Sequence, residues 1–132
     1  MTVLGDTSAF FAFLDRDDDA HPLAVRAWLR LRESGDACLT TNYVVTETIA
    51  LLQNRLGLAA VAVFVNTVLP ALQLEWVTPE VHDAAVETLL ASNRRDLSLV
   101  DCVSFATMRR LGVRQAFTLD AHFREQSFDC MP

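Results

Sequence analysis

Short apolar runs alternate along this chain with longer segments of helical periodicity. Thr2–Gly5 reads as a strand, followed by a helix from Thr7 to Leu14 and an acidic turn at Asp15–Asp19. Pro22–Arg32 presents Val25, Trp28, Leu29 and Leu31 at helical spacing, and Gly35 ends that region. Ala37–Thr40 predicts a second strand. Thr40-Thr41-Asn42 then offers capping side chains for a helix to about Leu56, stopped by Gly57. Leu58–Leu72 reads as one further helix, apolar on nearly every face. Leu74–Val77 predicts a third strand, and Thr78 with Pro79 opens a helix through Leu90. Ser98 caps a helix to Leu111, which Gly112 stops. Gln115–Leu119 predicts a fourth strand, and Phe128–Met131 a short edge strand. Strands alternating with helices imply an α/β fold, with a parallel or mostly parallel sheet covered on both faces. Ligands of such sheets bind beyond the C-terminal ends of the strands. Asp6 and Asp120 each follow a predicted strand, which places both acids at that edge if the two strands are neighbours.

Composition narrows the class. The 132 residues suit a single domain spanning 1–132, and a hydrophobic share of 52% supplies its core. The stretch Leu58–Leu72 is broken by Asn66, Thr67 and Pro70, so no transmembrane span is expected. The N-terminus lacks a basic segment and meets an acid at Asp6, so no signal peptide is expected and the location is read as cytoplasmic. Cys38, Cys102 and Cys130 are widely spaced, which argues against a disulfide framework or a zinc site and for small buried apolar residues. His21, His82 and His122 are equally scattered and read as surface or loop residues. A net charge of −6 excludes nucleic-acid binding by bulk positive charge. It does not exclude a nuclease, because clustered carboxylates repel phosphate only until a divalent cation reverses the local field.

Four acids stand where an acid needs a reason. Glu47 has Tyr43, Val44, Ala50 and Leu51 at three and four residues' distance, so it is expected on the buried stripe of its helix. A carboxylate there is costly unless it is paired with an Arg, bound to a metal, or set at the rim of the stripe. Asp101 completes a capping box with Ser98, which alone accounts for its type, although the helix it opens is largely apolar. Asp6 and Asp120 each fit as the cap of a following helix. The remaining acids lie in turns and on polar faces. Asp96 precedes the Ser98 cap and is either a loop acid or a supporter of the site.

The segments DTSAFFAFLD, TNYVVTETIALL, RDLSLVDCVSFATMRRLG and AFTLDAHF, in that order, resemble the PIN-domain nucleases. Within these the chain is most similar to VapC-type ribonuclease toxins of toxin–antitoxin pairs, over essentially its whole length. The resemblance implies a three-layer α/β/α fold with a short parallel sheet, and an acid cluster that binds Mg²⁺ or Mn²⁺ and hydrolyses RNA with a water nucleophile. Asp6, Glu47, Asp101 and Asp120 match the family's acids. Thr7 or Ser8 matches the hydroxyl after the first acid, and Thr118 the one before the last. Asp6 and Asp101 are expected as direct ligands, with Glu47 and Asp120 acting through water or a second ion. Gly5 departs from the pattern, standing where a larger apolar residue is usual. The resemblance further implies an antitoxin partner and a homodimer. Arg94 and Arg95 are the candidates for contact with RNA or antitoxin, whereas Arg109 and Arg110 read as ordinary charge at a helix C-terminus.

Two other classes compete. An Asp-nucleophile phosphohydrolase also places an acid after its first strand, but needs a DxDxT pattern and a Lys. Here Asp6-Thr7-Ser8 follows the strand, and every basic residue is Arg. The apolar Leu58–Leu72 segment fits either an interaction module or a core helix. An RNA-processing nuclease outside a toxin–antitoxin pair is the nearer alternative.

Overall fold

Alternation of side chains along the strands divides the core of this protein into two halves, one on each face of the sheet. The computed structural model describes residues 1–132. In chain order it runs β1 (Thr2–Gly5), α1 (Thr7–Leu14), α2 (His21–Ser34), β2 (Ala37–Thr41), α3 (Asn42–Arg55), α4 (Leu58–Val63), β3 (Gln73–Glu75), α5 (Pro79–Ser92), α6 (Leu99–Leu111), β4 (Gln115–Phe117), α7 (Ala121–Glu125) and β5 (Asp129–Met131). On β1, Val3 joins a cluster with Phe10, Trp28, Val44 and Phe64, while its neighbour Leu4 joins one with Val103, Phe105, Met108 and Phe123. The first cluster is roofed by α1, α2 and α3, the second by α5, α6 and α7, giving three layers.

The strand order is β3-β2-β1-β4-β5, and every pairing is parallel. The sheet is therefore wholly, not mostly, parallel. From β1 the chain builds one side through β2 and β3, then crosses back to add β4 and β5. The order reverses between β1 and β4, the place where sheets of this kind open a crevice at their C-terminal edge. The condition that brings Asp6 and Asp120 to one edge is met, since β1 pairs directly with β4, although Asp120 stands three residues past the end of β4. The two edge strands, β3 and β5, have only three residues each, which limits the unpaired backbone they present.

Four local expectations need correction. Leu58–Leu72 is not one regular helix. After α4 the backbone widens into a π turn over Phe64–Val68 and tightens into a 3₁₀ turn over Leu69–Ala71. Pro70 is the cause: it has no N–H to donate, and its ring crowds the carbonyl four residues before it. Nor is this segment buried on all faces, because only Phe64 and Val68 are fully covered, while Leu58 and Val63 are exposed. The third strand spans Gln73–Glu75 rather than Leu74–Val77, because Val77 N–H leaves the ladder to donate to Asn42 Oδ1 at 2.8 Å. The fourth strand stops at Phe117 rather than Leu119, where the Thr118 hydroxyl turns the chain toward Asp120, and the helix that Asp120 caps is the short α7.

Gly5 acquires a reason. A Cβ built on it would lie 2.2 Å from Phe10 Cζ. The Phe10 ring rests on the bare backbone of β1 and packs against Phe64 and Phe117, with centroids at 5.6 and 6.0 Å.

Candidate active site

Acids gather at the C-terminal edge of the sheet where β1 and β4 meet. Asp6, just past β1, caps α1 and is 3% exposed. Its backbone N–H continues the ladder to Phe117 O at 3.0 Å. Its Oδ2 accepts from Ser8 Oγ at 2.7 Å, Thr118 Oγ1 at 2.9 Å and, longer, Ser8 N–H at 3.4 Å. All three bonds fall on one oxygen, leaving Oδ1 free. Ser8 Oγ also accepts from Leu119 N–H, and Thr118 Oγ1 from Asp120 N–H, so two hydroxyls tie the first acid to the loop carrying the last. Burial pushes the Asp6 carboxyl up to about 6; the Ser8 and Thr118 bonds oppose this, and the charges of Asp101 and Asp120 reinforce it. Of the two hydroxyls after the first acid, Ser8 serves it. Thr7 turns inward, accepting from Thr48 Oγ1 and donating weakly to Val44 O.

Asp101 is the third residue of α6. Ser98 Oγ accepts from Asp101 N–H at 3.0 Å, and Asp101 Oδ2 accepts from Ser98 N–H at 3.3 Å, the reciprocal pair of a capping box. Burial nevertheless raises its carboxyl above the ordinary range, against the Ser98 bonds and with help from Asp120 and Glu47. Ser98→Ala is expected to cost about 1 kcal/mol of stability. It should lower the denaturant midpoint without changing the slope; an unchanged midpoint would show that the cap contributes nothing.

Asp120 caps α7, accepting from His122 N–H at 2.9 Å. The His122 ring folds back over it. Its Nδ1 lies 2.7 Å from Asp120 Oδ1 and 4.0 Å from Asp101 Oδ2, and its Nε2 lies 3.1 Å from Asp96 Oδ2. The Asp96 bond is the main cause holding the imidazolium above its ordinary range. Arg94 grips Asp96 through two nitrogens, which drives that carboxyl far below the usual range, and reaches Glu125 with a third.

Glu47 lies on α3 close enough for its charge to act on Asp101. It is not on the buried stripe, which runs through Val44, Thr48 and Leu52. With its neighbours Tyr43 and Ala50 it instead lines an open groove of about 410 Å³, together with Asn42, Thr46 and Val100. A polarity pattern cannot distinguish a groove from a core, which is why the helix misled.

Two carboxylates and an imidazole are donors that could hold a divalent cation. Asp101, Asp120 and His122 each offer one ligand atom, all within 4.8 Å of one another. Asp6 and Asp101 are raised chiefly by burial, with the neighbouring acids adding to it, and a cation held there would act in the opposite direction.

Residues 3–129 match the sequence profile of the PIN domain. The chain belongs to the PIN-domain family. Over 127 residues, 93% of this chain, this PIN domain is 34% identical to the 23S rRNA-specific endonuclease VapC20 of Mycobacterium tuberculosis, covering 92% of that protein. Its fold superposes on the crystal structure of that VapC20, described as a sarcin-ricin loop cleaving toxin. The TM-score is 0.81 at 32% identity, over 96% of this chain and 95% of the other. FitAcB from Neisseria gonorrhoeae shares the fold alone, with a TM-score of 0.71 at 15% identity over 100% and 97% of the two chains. This PIN domain is accordingly a ribonuclease.

One participant escaped the sequence reading. His122, read as a surface or loop residue, is a neighbour of two site acids, with its side chain only 17% exposed. Its one local signal was a position two residues beyond Asp120 at a strand end. The candidate RNA contacts also separate. Arg94 is committed to Asp96 and Glu125, whereas Arg95 is exposed and holds no ion pair in this PIN domain.

Proposed function

We propose that this PIN domain is the toxin of a type II toxin–antitoxin pair, an endoribonuclease dependent on Mg²⁺ or Mn²⁺ that acts on large-subunit ribosomal RNA. The observation that carries the reading is the meeting of Asp6, Asp101 and Asp120 at the β1–β4 crevice, with Glu47 at its side. The end-to-end likeness to a 23S rRNA-specific endonuclease supports the substrate. The cytoplasm is the corresponding location; no helix is long and apolar enough to cross a membrane.

Asp6, Asp101 and Asp120 would hold the cation, and Glu47, on the open groove, would act through water. A bound cation would neutralise phosphate charge and make a water more acidic, leaving a carboxylate to take its proton. The chain's own contribution is position. Ser8 and Thr118 fix Asp6 Oδ2, so Oδ1 keeps one direction. The Ser98 cap fixes Asp101 at the start of a buried helix. Glu47 faces the groove that gives RNA an approach, as a carboxylate able to orient the attacking water.

The purified protein should cleave 23S rRNA in intact ribosomes with millimolar Mn²⁺ or Mg²⁺, and stop in excess chelator. Cleavage that persists in chelator would overturn metal dependence, and cleavage of unrelated RNA at equal rate would overturn the ribosomal substrate. The exposed Leu58, Val63 and Val65 supply the apolar face for the expected homodimer. Val63→Asp should turn the dimer into a folded monomer by size-exclusion chromatography; a wild type that elutes as a monomer would remove this part. An antitoxin is the remaining partner, and co-expression with it should suppress cleavage.

A further inference from the structure

His122 has two ring nitrogens, and the structure gives them different tasks. Nε2 is engaged by Asp96 Oδ2 at 3.1 Å. Nδ1 is buried and makes no aligned hydrogen bond, yet lies 2.7 Å from Asp120 Oδ1 and 4.0 Å from Asp101 Oδ2. Two donors on one cation, each with a bond of about 2.1 Å, stand at most about 4.2 Å apart, so both separations lie within that span. Behind the ring, Arg94 forks onto Asp96 with contacts of 3.1 and 2.8 Å and binds Glu125 Oε2 at 2.9 Å. Glu125 belongs to α7, the helix that carries His122, so the network joins the loop before α6 to α7. Asp96 is 60% exposed and Arg94 39%, and ion pairs that open to water contribute little to stability. Orienting the ring gives the network a function that stability does not. A histidine that ligates a metal through one nitrogen characteristically gives its other N–H to a carboxylate.

We propose that His122 is a nitrogen ligand of the cation held by this site, and that Asp96, gripped by Arg94, is the positioning residue that turns its ring. The inference rests on the metal-dependent reading above. It sharpens the cation's identity, because imidazole favours first-row transition metals, here Mn²⁺, over Mg²⁺, whose preference is for oxygen.

The test is pulsed electron paramagnetic resonance of the Mn²⁺-loaded protein, with titration calorimetry of Mn²⁺ and Mg²⁺. Wild type should show nitrogen modulation from a directly bound ring, and His122→Gln should lose it. Mn²⁺ affinity should fall roughly tenfold to a hundredfold in His122→Gln and about tenfold in Asp96→Asn, with Mg²⁺ affinity changed less. Mn²⁺ bound to wild type without nitrogen modulation would overturn the proposal while leaving the carboxylate site intact, and that measurement needs no variant. Wild-type Mn²⁺ affinity in a folded His122→Gln would overturn it equally. Binding of neither cation by wild type would instead sink the metal-dependent reading itself.

Discussion

Asp6→Asn is expected to abolish RNA cleavage and, in the absence of metal, to make the protein more stable above pH 6. The carboxyl titrates at about 6 when folded and at the ordinary 3.8 when exposed, so the folded state holds its proton more tightly. Stability from this group is full below about pH 4 and is lost as pH rises through about 6. At pH 8 the difference corresponds to roughly 3 kcal/mol of destabilisation by the buried charge. Asn carries no charge, and its carbonyl oxygen can accept the Ser8 and Thr118 hydroxyls in place of Oδ2. Its amide must find a partner, which reduces the net gain to about 1–2 kcal/mol, a Tm rise of several degrees. Melting curves in chelator at pH 4 and pH 8 should show the gain at the higher pH alone. A variant less stable than wild type at pH 8 would contradict the assignment of burial as the dominant cause. Cleavage should fall by about a thousandfold or more, the loss expected when a charge-compensating site worth several kcal/mol is removed.

Gly5→Val is expected to destabilise the protein by about 3 kcal/mol or more, at the upper end of what overpacking produces. The added Cβ would meet Phe10 Cζ at 2.2 Å and both Cε atoms at 3.0 Å. Phe10 cannot withdraw, because it is fully buried against Phe64 and Phe117. Strand β1 must then move, carrying with it Asp6, the next residue, so activity should fall along with stability. Combining Gly5→Val with Phe10→Leu should recover part of the loss, a non-additivity expected of residues in contact. Chemical denaturation checks both; a Gly5→Val midpoint equal to wild type would show that the ring has room to shift. The departure of Gly5 from the family pattern is thus a matter of packing, not of the site.

Features with short-range causes were legible in the sequence. The Asp101 capping box is written in four consecutive residues, and the caps at Thr78 and Ser98 likewise. The parallel sheet followed from strands alternating with helices. Asp6 and Asp120 were placed by their position after strands, and the β1–β4 pairing brings them to one edge. What failed depended on distant neighbours. His122 matters only because Asp96, Asp101 and Asp120 surround it, and no spacing rule predicts that. Glu47 was set on the wrong face because Tyr43 and Ala50 border a groove opposite Val100 of another helix. The π turn at Phe64–Val68 answers to Pro70, whose effect on the preceding turn is not visible in polarity.

The ladder between β1 and β4 also has a consequence in time. Thr118 reaches Asp6 across 112 residues, and Ser8 meets Leu119 N–H across 111. Chains emerge and fold from the N-terminus. While the chain is being made, the halves of its crevice exist apart, and no fragment ending before β4 contains the assembled acids. The crevice would thereby stay incomplete until β4 and Asp120 have left the ribosome that makes them.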